Sequence, residues 1–173
     1  MPVRPVVRYP APVLKTPAVM LVPGSEAEAL AADLVDTMQA SPACVGLAAP
    51  QIGVGARAFA MDVTGHRKAR SCHGLVVLIN PLIVEHDGGE VTREGCMSLP
   101  DLTGNVRRAE RVLVRGLTPN GDEREIEADA FEARALQHEI DHLDGLLFLD
   151  RVASVTSDVF RRKRYTPPSH KRT

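Results

Sequence analysis

Hydrophobic spacing changes several times along the chain, and each change marks an element. Ala27, Leu30, Ala31, Leu34 and Met38 recur at the spacing of one helical face. Ser25 with Glu28 reads as an S-x-x-E capping box at the start of that helix, and Ser41-Pro42 as its end. Before it, residues 1–23 are rich in Pro and Val, and Tyr9-Pro10-Ala11-Pro12 is too dense in proline for a helix. Residues 45–53, VGLAAPQIG, read as a loop of small residues. Residues 57–62 alternate Arg, Phe and Met against Ala, the period of a short strand. Residues 64–74 are polar and predict an exposed loop, in which Cys72 is given no role. Aliphatic residues 75–79 and 82–84 predict two strands broken by Asn80-Pro81, with a turn at Asp87-Gly88-Gly89. Residues 94–100, EGCMSLP, have no strong period. Residues 106–117 are strand-like, and Pro119-Asn120-Gly121 predicts a hairpin turn before a strand near 125–128. The apolar run 146–149 is suited to pairing with a sheet.

One more segment is helical, and it carries chemistry. Residues 131–143 contain neither Gly nor Pro. Phe131, Ala135, His138 and His142 share one face; Leu136, Ile140 and Leu143 share another. Only Glu132, Asp141 and Arg134 read as solvated, so the helix is predicted to be buried on most sides. Asp129 followed by Glu132 fits a capping box, and Gly145 suits a left-handed cap. Within QHEIDHLDG, residues 137–145, His138, Glu139 and His142 have the HExxH spacing. Positions four apart lie about 40° apart around a helix and roughly 6 Å apart along it, so both imidazoles can reach one ion. Glu139 is offset toward the next face, where it can reach a water polarised by that ion. Two core histidines, a structural site and a zinc peptidase are the competing readings of this motif alone.

Composition narrows the class. The chain has 173 residues, of which 44% are hydrophobic and 25% charged, which fits one soluble domain with a single core. Aromatic residues make up only 3% and there is no Trp, so the core must be aliphatic and rich in Ala. A net charge of −1 argues against a general or sequence-specific nucleic-acid binder. No apolar run reaches transmembrane length, and Arg4, Arg8 and three prolines within the first ten residues do not fit a signal peptide. A cytoplasmic protein without membrane contact is expected. Cys44, Cys72 and Cys96 are an odd count, so metal binding or burial is favoured over a disulfide framework. From Phe160 the chain carries Arg161, Arg162, Lys163, Arg164, Lys171 and Arg172, with Pro167 and Pro168 denying it a long helix. This end, about residues 160–173, is expected to be solvated and flexible. Its functional counterpart is a weak electrostatic contact with an acidic partner such as ribosomal RNA.

A catalytic site of this kind usually has a third protein ligand. Downstream, Asp144, Asp150, Asp158 and His170 are available. Upstream, Cys96 is flanked by Gly95, which lets backbone approach closely, and by Glu94 and Ser98, which offer supporting polar groups. A thiolate is a strong ligand for a divalent metal. A small buried residue is its equally good alternative.

Three segments resemble the signature motifs of peptide deformylases, in that family's order: VGLAAPQIG, EGCMSLP and QHEIDHLDG. YPAPVL, residues 9–14, is similar to the family's start, and the resemblance spans about residues 5–150. It implies an α+β fold, with antiparallel β-sheets wrapped around the HExxH helix and a second, N-terminal amphipathic helix. It implies that Cys96, His138 and His142 hold one divalent metal, Fe(II) natively, with Zn, Ni or Co also able to occupy the site. Glu139 would be the general base and then acid. Gln51 would donate its side-chain amide to the developing oxyanion, with the Met97 backbone N–H as second donor. Val45 and Gly46 would line the substrate groove. The substrates implied are N-formylmethionyl nascent peptides, from which formate is released. Two positions depart from the family. Cys44 stands where Gly is usual, two residues before Gly46, and would narrow the groove or reshape the methionine pocket. Met97 takes a place often held by Leu. The C-terminus also lacks the long terminal helix of one branch of the family. A zinc endopeptidase with a carboxylate or His as third ligand, and a non-enzymatic binder altered at Cys44, are the alternatives. Intact Glu139 and Gln51 favour the enzyme.

Overall fold

The structure, a computed structural model, describes residues 3–162. In chain order the elements are helix α1 (Ser25–Ala40), strand β1 (Gly46–Ala48), β2 (Ala58–Met61), β3 (Val76–Asp87), β4 (Glu90–Cys96), β5 (Leu99–Arg108), β6 (Arg111–Leu117), β7 (Glu123–Asp129), helix α2 (Ala130–Leu143) and β8 (Val159–Arg161). A five-stranded sheet runs β1-β2-β3-β6-β7, and a three-stranded sheet runs β4-β5-β8. Every pairing between these strands is antiparallel. The fold is therefore α+β.

Strand β2 shows how the larger sheet acquires two buried faces. All four of its residues are buried. Ala58 and Ala60 pack with Leu30, Leu34 and Met38 of α1, while Phe59 and Met61 pack with Leu136, Ile140 and Leu143 of α2. Alternate residues of a strand point to opposite faces, so the Ala/Phe/Ala/Met alternation puts small residues under α1 and large ones under α2. The smaller sheet closes a third cluster, in which Leu99, Val106 and Cys96 meet Leu14, Leu147 and Phe148.

Helix α1 buries the predicted stripe. Its start differs from expectation: Ser25 is already inside the helix, Gly24 is the cap residue, and no side chain caps it. In α2 the expected capping box is also absent. The Asp129 carboxylate accepts instead from the Ser71 N–H at 2.9 Å. Glu132, fully buried, accepts from the Ser71 hydroxyl at 2.8 Å and from the His73 N–H at 2.7 Å. The first turn of α2 thus anchors the loop of residues 64–74 rather than itself. Arg134 pairs with Glu90 at 3.3 Å. Gly145, at φ 76°, does take the left-handed conformation after the helix.

Several strands fall elsewhere than periodicity suggests. VGLAAPQIG is not a plain loop: it forms β1 and a 3-10 turn, Ala49–Ile52. Strand β3 runs through Asn80-Pro81 with a shift of register there. Pro81 has no N–H for the ladder, and Asn80 sits at φ 51° while its side chain both accepts from and donates to the Leu21 backbone at 2.8 Å. EGCMSLP forms the tip of the β4–β5 hairpin. The expected strand 106–117 is split at Ala109-Glu110 between two sheets. The run 146–149 joins no strand; it leads into a 3-10 turn, Phe148–Asp150, and fills the third cluster. The start of the basic tail is ordered, since Phe160 and Arg161 pair with Thr103 and Leu102 of β5. Lys163, Arg164, Pro167, Pro168, Lys171 and Arg172 lie outside the described residues.

Asp141, expected to be solvated, is buried and ties the helix to the smaller sheet. The Arg108 guanidinium, 4% exposed, donates to Glu94 of β4 at 2.7 and 2.9 Å and to Asp141 of α2 at 2.6 Å. Arg151 donates to the same Asp141 at 2.9 and 3.1 Å. Removing one member of a buried charged set leaves its partners uncompensated, at about 3–5 kcal/mol. Arg108→Leu should therefore lower the free energy of unfolding by about 3–5 kcal/mol in urea titrations. Arg115→Ala, which breaks a solvent-exposed pair with Glu125, should stay within about 1 kcal/mol of the parent chain; equal losses would show that burial of the Arg108 set is not what matters.

Candidate metal and catalytic site

Three elements deliver side chains to one cleft of about 510 Å³. The C-terminal half of α2 supplies His138, Glu139 and His142; the end of β4 supplies Cys96; the turn after β1 supplies Gln51. His138 and His142, one helical turn apart, bring their Nε2 atoms to 3.2 Å. Cys96 Sγ stands 3.4 Å from His142 Nε2. The ligand atoms of Cys96, His138 and His142 all lie within 4.8 Å of one another. A tetrahedral centre with bonds of about 2.1 Å to nitrogen and about 2.3 Å to sulfur requires edges of about 3.4 Å between nitrogens and about 3.6 Å from nitrogen to sulfur. The His138–His142 and Cys96–His142 spacings are close to those edges, and the third lies within 4.8 Å, so this donor set could hold a divalent cation.

The supporting hydrogen bonds aim the ligands. Glu94 Oε1 accepts from His138 Nδ1 at 2.9 Å, which turns Nε2 toward the cluster. Burial would push the His138 imidazole down, but hydrogen bonds to Cys96 and Glu94 outweigh it and hold it well above its usual value. His142 is driven well below its usual value by burial and then by the charge on His138. Two imidazoles at this distance are not both protonated to imidazolium. His142 Nδ1 is buried and finds no partner among the described residues.

Glu139 is buried beside the cluster, and burial raises its carboxyl from 4.5 to about 7. Its Oε2 has no hydrogen-bond partner among the described residues. The other oxygen packs on β1: a Cβ added to Gly46 would lie 2.5 Å from Glu139 Oε1. Glycine at 46 thus allows a close approach that a larger residue could make only by moving the Glu139 side chain.

Gln51 is 2% exposed and its orientation is fixed by donor logic. The Ala48 N–H can only donate, and it donates to Gln51 Oε1 at 3.0 Å. Nε2 is therefore the atom turned to the cleft, where it lies 3.2 Å from the Ser98 hydroxyl and 3.5 Å from Cys96 Sγ. The N-terminal segment buttresses this pair, with the Val7 N–H donating to Gln51 O at 2.7 Å and the Tyr9 N–H to Ser98 O at 2.9 Å. Met97 lies at the hairpin tip and lines the cleft. Cys44, Val45 and Gly46 line it from the β1 side. The Cys44 thiol donates to Gly46 O at 3.2 Å, and burial, then the Glu139 charge, pushes it up to about 11, so it remains a neutral thiol.

The downstream carboxylates lie elsewhere. Asp144 pairs with Arg57 at 2.9 Å, Asp150 with Lys15, and Asp158 accepts from the Ser154 N–H at 3.1 Å. His170 is outside the described residues. Sequence reasoning missed Arg108 and took Asp141 for a solvated residue; both elements carry other polar and charged residues, so no local signal marked the pair.

The polypeptide deformylase family model matches residues 3–158. The peptide deformylase of Thermodesulfovibrio yellowstonii is 43% identical over 157 residues, covering 90% of this chain and 93% of the relative. Among solved structures, peptide deformylase from Thermotoga maritima superposes with a TM-score of 0.80 at 34% identity, covering 89% of this chain and all of that one. A Met-Ala-Ser-bound peptide deformylase from Acinetobacter baumannii gives 0.80 at 33% identity, covering 87% and 100%. Sequence likeness at this level over nine-tenths of both chains, with the same fold beneath it, means that the chain belongs to the peptide deformylase family.

Proposed function

We propose that this chain hydrolyses the formyl group from N-formylmethionine of nascent polypeptides, with Cys96, His138 and His142 as ligands of one Fe(II), a place that Zn, Ni or Co can also take. Metal-dependent deformylation is the activity of the family. The observation that carries the residue assignment is the clustering of the Cys96, His138 and His142 ligand atoms within 4.8 Å, with two of the spacings close to tetrahedral ligand edges. When bound, the ion would act as a Lewis acid toward the formyl oxygen and make water a better nucleophile at neutral pH.

The chain's own groups account for the remaining steps. The Glu139 carboxylate accepts a proton from the attacking water as its oxygen bonds to the formyl carbon. The same carboxyl then returns that proton to the leaving amine nitrogen as the C–N bond breaks, leaving formate and a free methionyl amine. A base poised near neutral pH suits both transfers, and burial of Glu139 supplies that poise. Gln51 Nε2, held toward the cleft by Ala48, donates to the oxyanion without adding charge. The Met97 backbone N–H is its second donor. Cys44, Val45 and Gly46 form one wall of the substrate groove, where the free edge of β1 faces the free edge of β4. An extended peptide can pair between such edges, and the Acinetobacter baumannii relative is seen with Met-Ala-Ser bound.

This reading takes the chain as a single catalytic domain acting in the cytoplasm, where formylated chains are made. Among the described residues no helix is long and apolar enough to cross a membrane. A weak ribosome contact through the basic tail belongs to the same reading. Formate release from formyl-Met-Ala-Ser by protein loaded with Fe(II), Ni(II) or Co(II) is the direct test; folded protein that releases none with any metal would refute it.

Two substitutions separate the roles. Glu139→Ala should keep one metal per chain by elemental analysis while formate release falls about 100-fold to 10,000-fold, whereas His138→Ala should lose metal and activity together. Gly46→Ala should retain metal but push Glu139 aside, lowering kcat by about 10-fold to 100-fold, the scale of an ångström-sized misplacement. Full activity in Gly46→Ala would mean that the Glu139 position is not set by β1.

A further inference from the structure

The deep site is lined by Glu94 and Glu139, but the mouth of the same cleft has the opposite sign. Arg67, Lys68, Arg93, Arg134 and Arg162 line it, in a chain whose net charge is −1. These cations come from four separate places: the loop after β2, strand β4, helix α2 and the residue after β8. Arg134 is paired with Glu90. Among the described residues Arg93 bonds only neutral groups, Asn105 at 3.0 Å and Thr103 at 3.4 Å, and lies 3.7 Å over the Phe160 ring. Among the described residues, Arg67, Lys68 and Arg93 have no carboxylate partner. The Arg162 guanidinium occupies the space that a Cβ on Gly95 would take, directly beside Cys96.

The loop that carries Arg67 and Lys68 is held in place. His66 stacks on Phe131 of α2 with centroids 3.7 Å apart and planes 5° apart. Ser71 and His73 are bonded to Glu132 of the same helix. His66 is pushed below its usual value by burial and then by the charges of Lys68, Arg67 and Arg134, as a gathering of cations requires.

Peptide geometry gives the positions these cations reach. Strand β4 recedes from Cys96 toward Glu90 at about 3.3 Å per residue, so Arg93 stands roughly 10 Å along it, level with the third residue of an extended chain whose formyl end is at Cys96. We propose that the cleft discriminates among formylated peptides by charge, favouring those with Asp or Glu at the second to fourth residues, which the Arg67, Lys68, Arg93 and Arg162 side chains meet. The inference rests on the deformylase reading and adds a substrate preference to it.

Amide-capped peptides test this on the Ni(II)-loaded full chain. Formyl-Met-Ala-Asp-Glu-amide should be hydrolysed with kcat/KM about 5-fold to 10-fold above formyl-Met-Ala-Asn-Gln-amide at low salt, because each exposed pair contributes only a few-fold. Formyl-Met-Ala-Lys-Lys-amide should fall below the neutral peptide. The gain should appear in KM and shrink to about 2-fold at about 0.5 M salt, where screening is short-ranged. Uncapped formyl-Met-Ala-Asn-Gln, set beside its amide, separates a terminal carboxylate from side-chain ones. The Arg67→Gln/Lys68→Gln double variant and Arg162→Gln should each bring the acidic-to-neutral ratio toward one. The same order should hold for binding of the unformylated product peptides by calorimetry. Equal kcat/KM on all three capped peptides would overturn the charge preference while leaving deformylation standing; formate from none of them would overturn deformylation instead. A ratio unchanged in both variants, or insensitive to salt in the parent chain, would also overturn the assignment to these side chains.

Discussion

The buried Arg108 guanidinium is the constraint on which the rest of the site depends. It lies between Glu94 at the end of the hairpin and Asp141 on the helix. Burial opposes ionisation of Glu94, but hydrogen bonds from Arg108 and His138 outweigh it and hold the carboxyl at about 2. A charged set this deep is costly unless every member is satisfied. The hairpin and the helix must therefore meet in one register, because any slip would leave a charge unpaired in a dry interior. That register is what brings Cys96 beside His138 and His142. Glu94 belongs to both systems: one oxygen faces Arg108 and also receives His138 Nδ1. The fold and the ligand geometry are thus tied through one carboxylate.

Side-chain size makes the second constraint. The sheet that carries β1 must support α1 on one face and α2 on the other, and Ala58 and Ala60 against Phe59 and Met61 achieve this within four residues. At the sheet edge, Gly46 removes the last side chain between backbone and Glu139. The carboxylate is consequently held close to main chain and mostly buried, and desolvation raises its affinity for a proton. A glycine in a strand, usually a weakness, here allows the close packing that gives the carboxyl its protonation behaviour.

These relations also explain what the sequence made legible. Helix α1 was readable because its apolar stripe faces one partner only, and HExxH because its geometry is local to one helix. Glu132 and Asp141 were misread as solvated because a polar residue on a helix normally faces water. Here their partners, Ser71, His73, Arg108 and Arg151, come from other elements. No local pattern announces such pairing. The same limit hid the joining of Cys96 to His142, 46 residues apart, which neither spacing nor composition could decide without the resemblance. Strand β3 was read as two because Asn80-Pro81 normally ends a strand, whereas the Asn80 side chain here takes over the backbone's bonding to Leu21.

Depth divides the work of charge in this cleft. Around Glu139 and the imidazoles, burial lets each charge shift its neighbours strongly, so that His138 and His142 move in opposite directions. At the mouth, Arg67, Lys68 and Arg93 are exposed, and solvent screens them within about 10 Å at ordinary salt. Groups at the mouth can therefore alter how a peptide arrives and settles, but they contribute little to the proton affinity of the buried carboxyl. Arg108 acts differently: paired and buried away from the mouth, its charge is felt by both Glu139 and His142. On the proposed reading the charge locked into the core would bear on the chemistry and the charges left at the surface on selection among peptides, so the two could vary independently in one small domain.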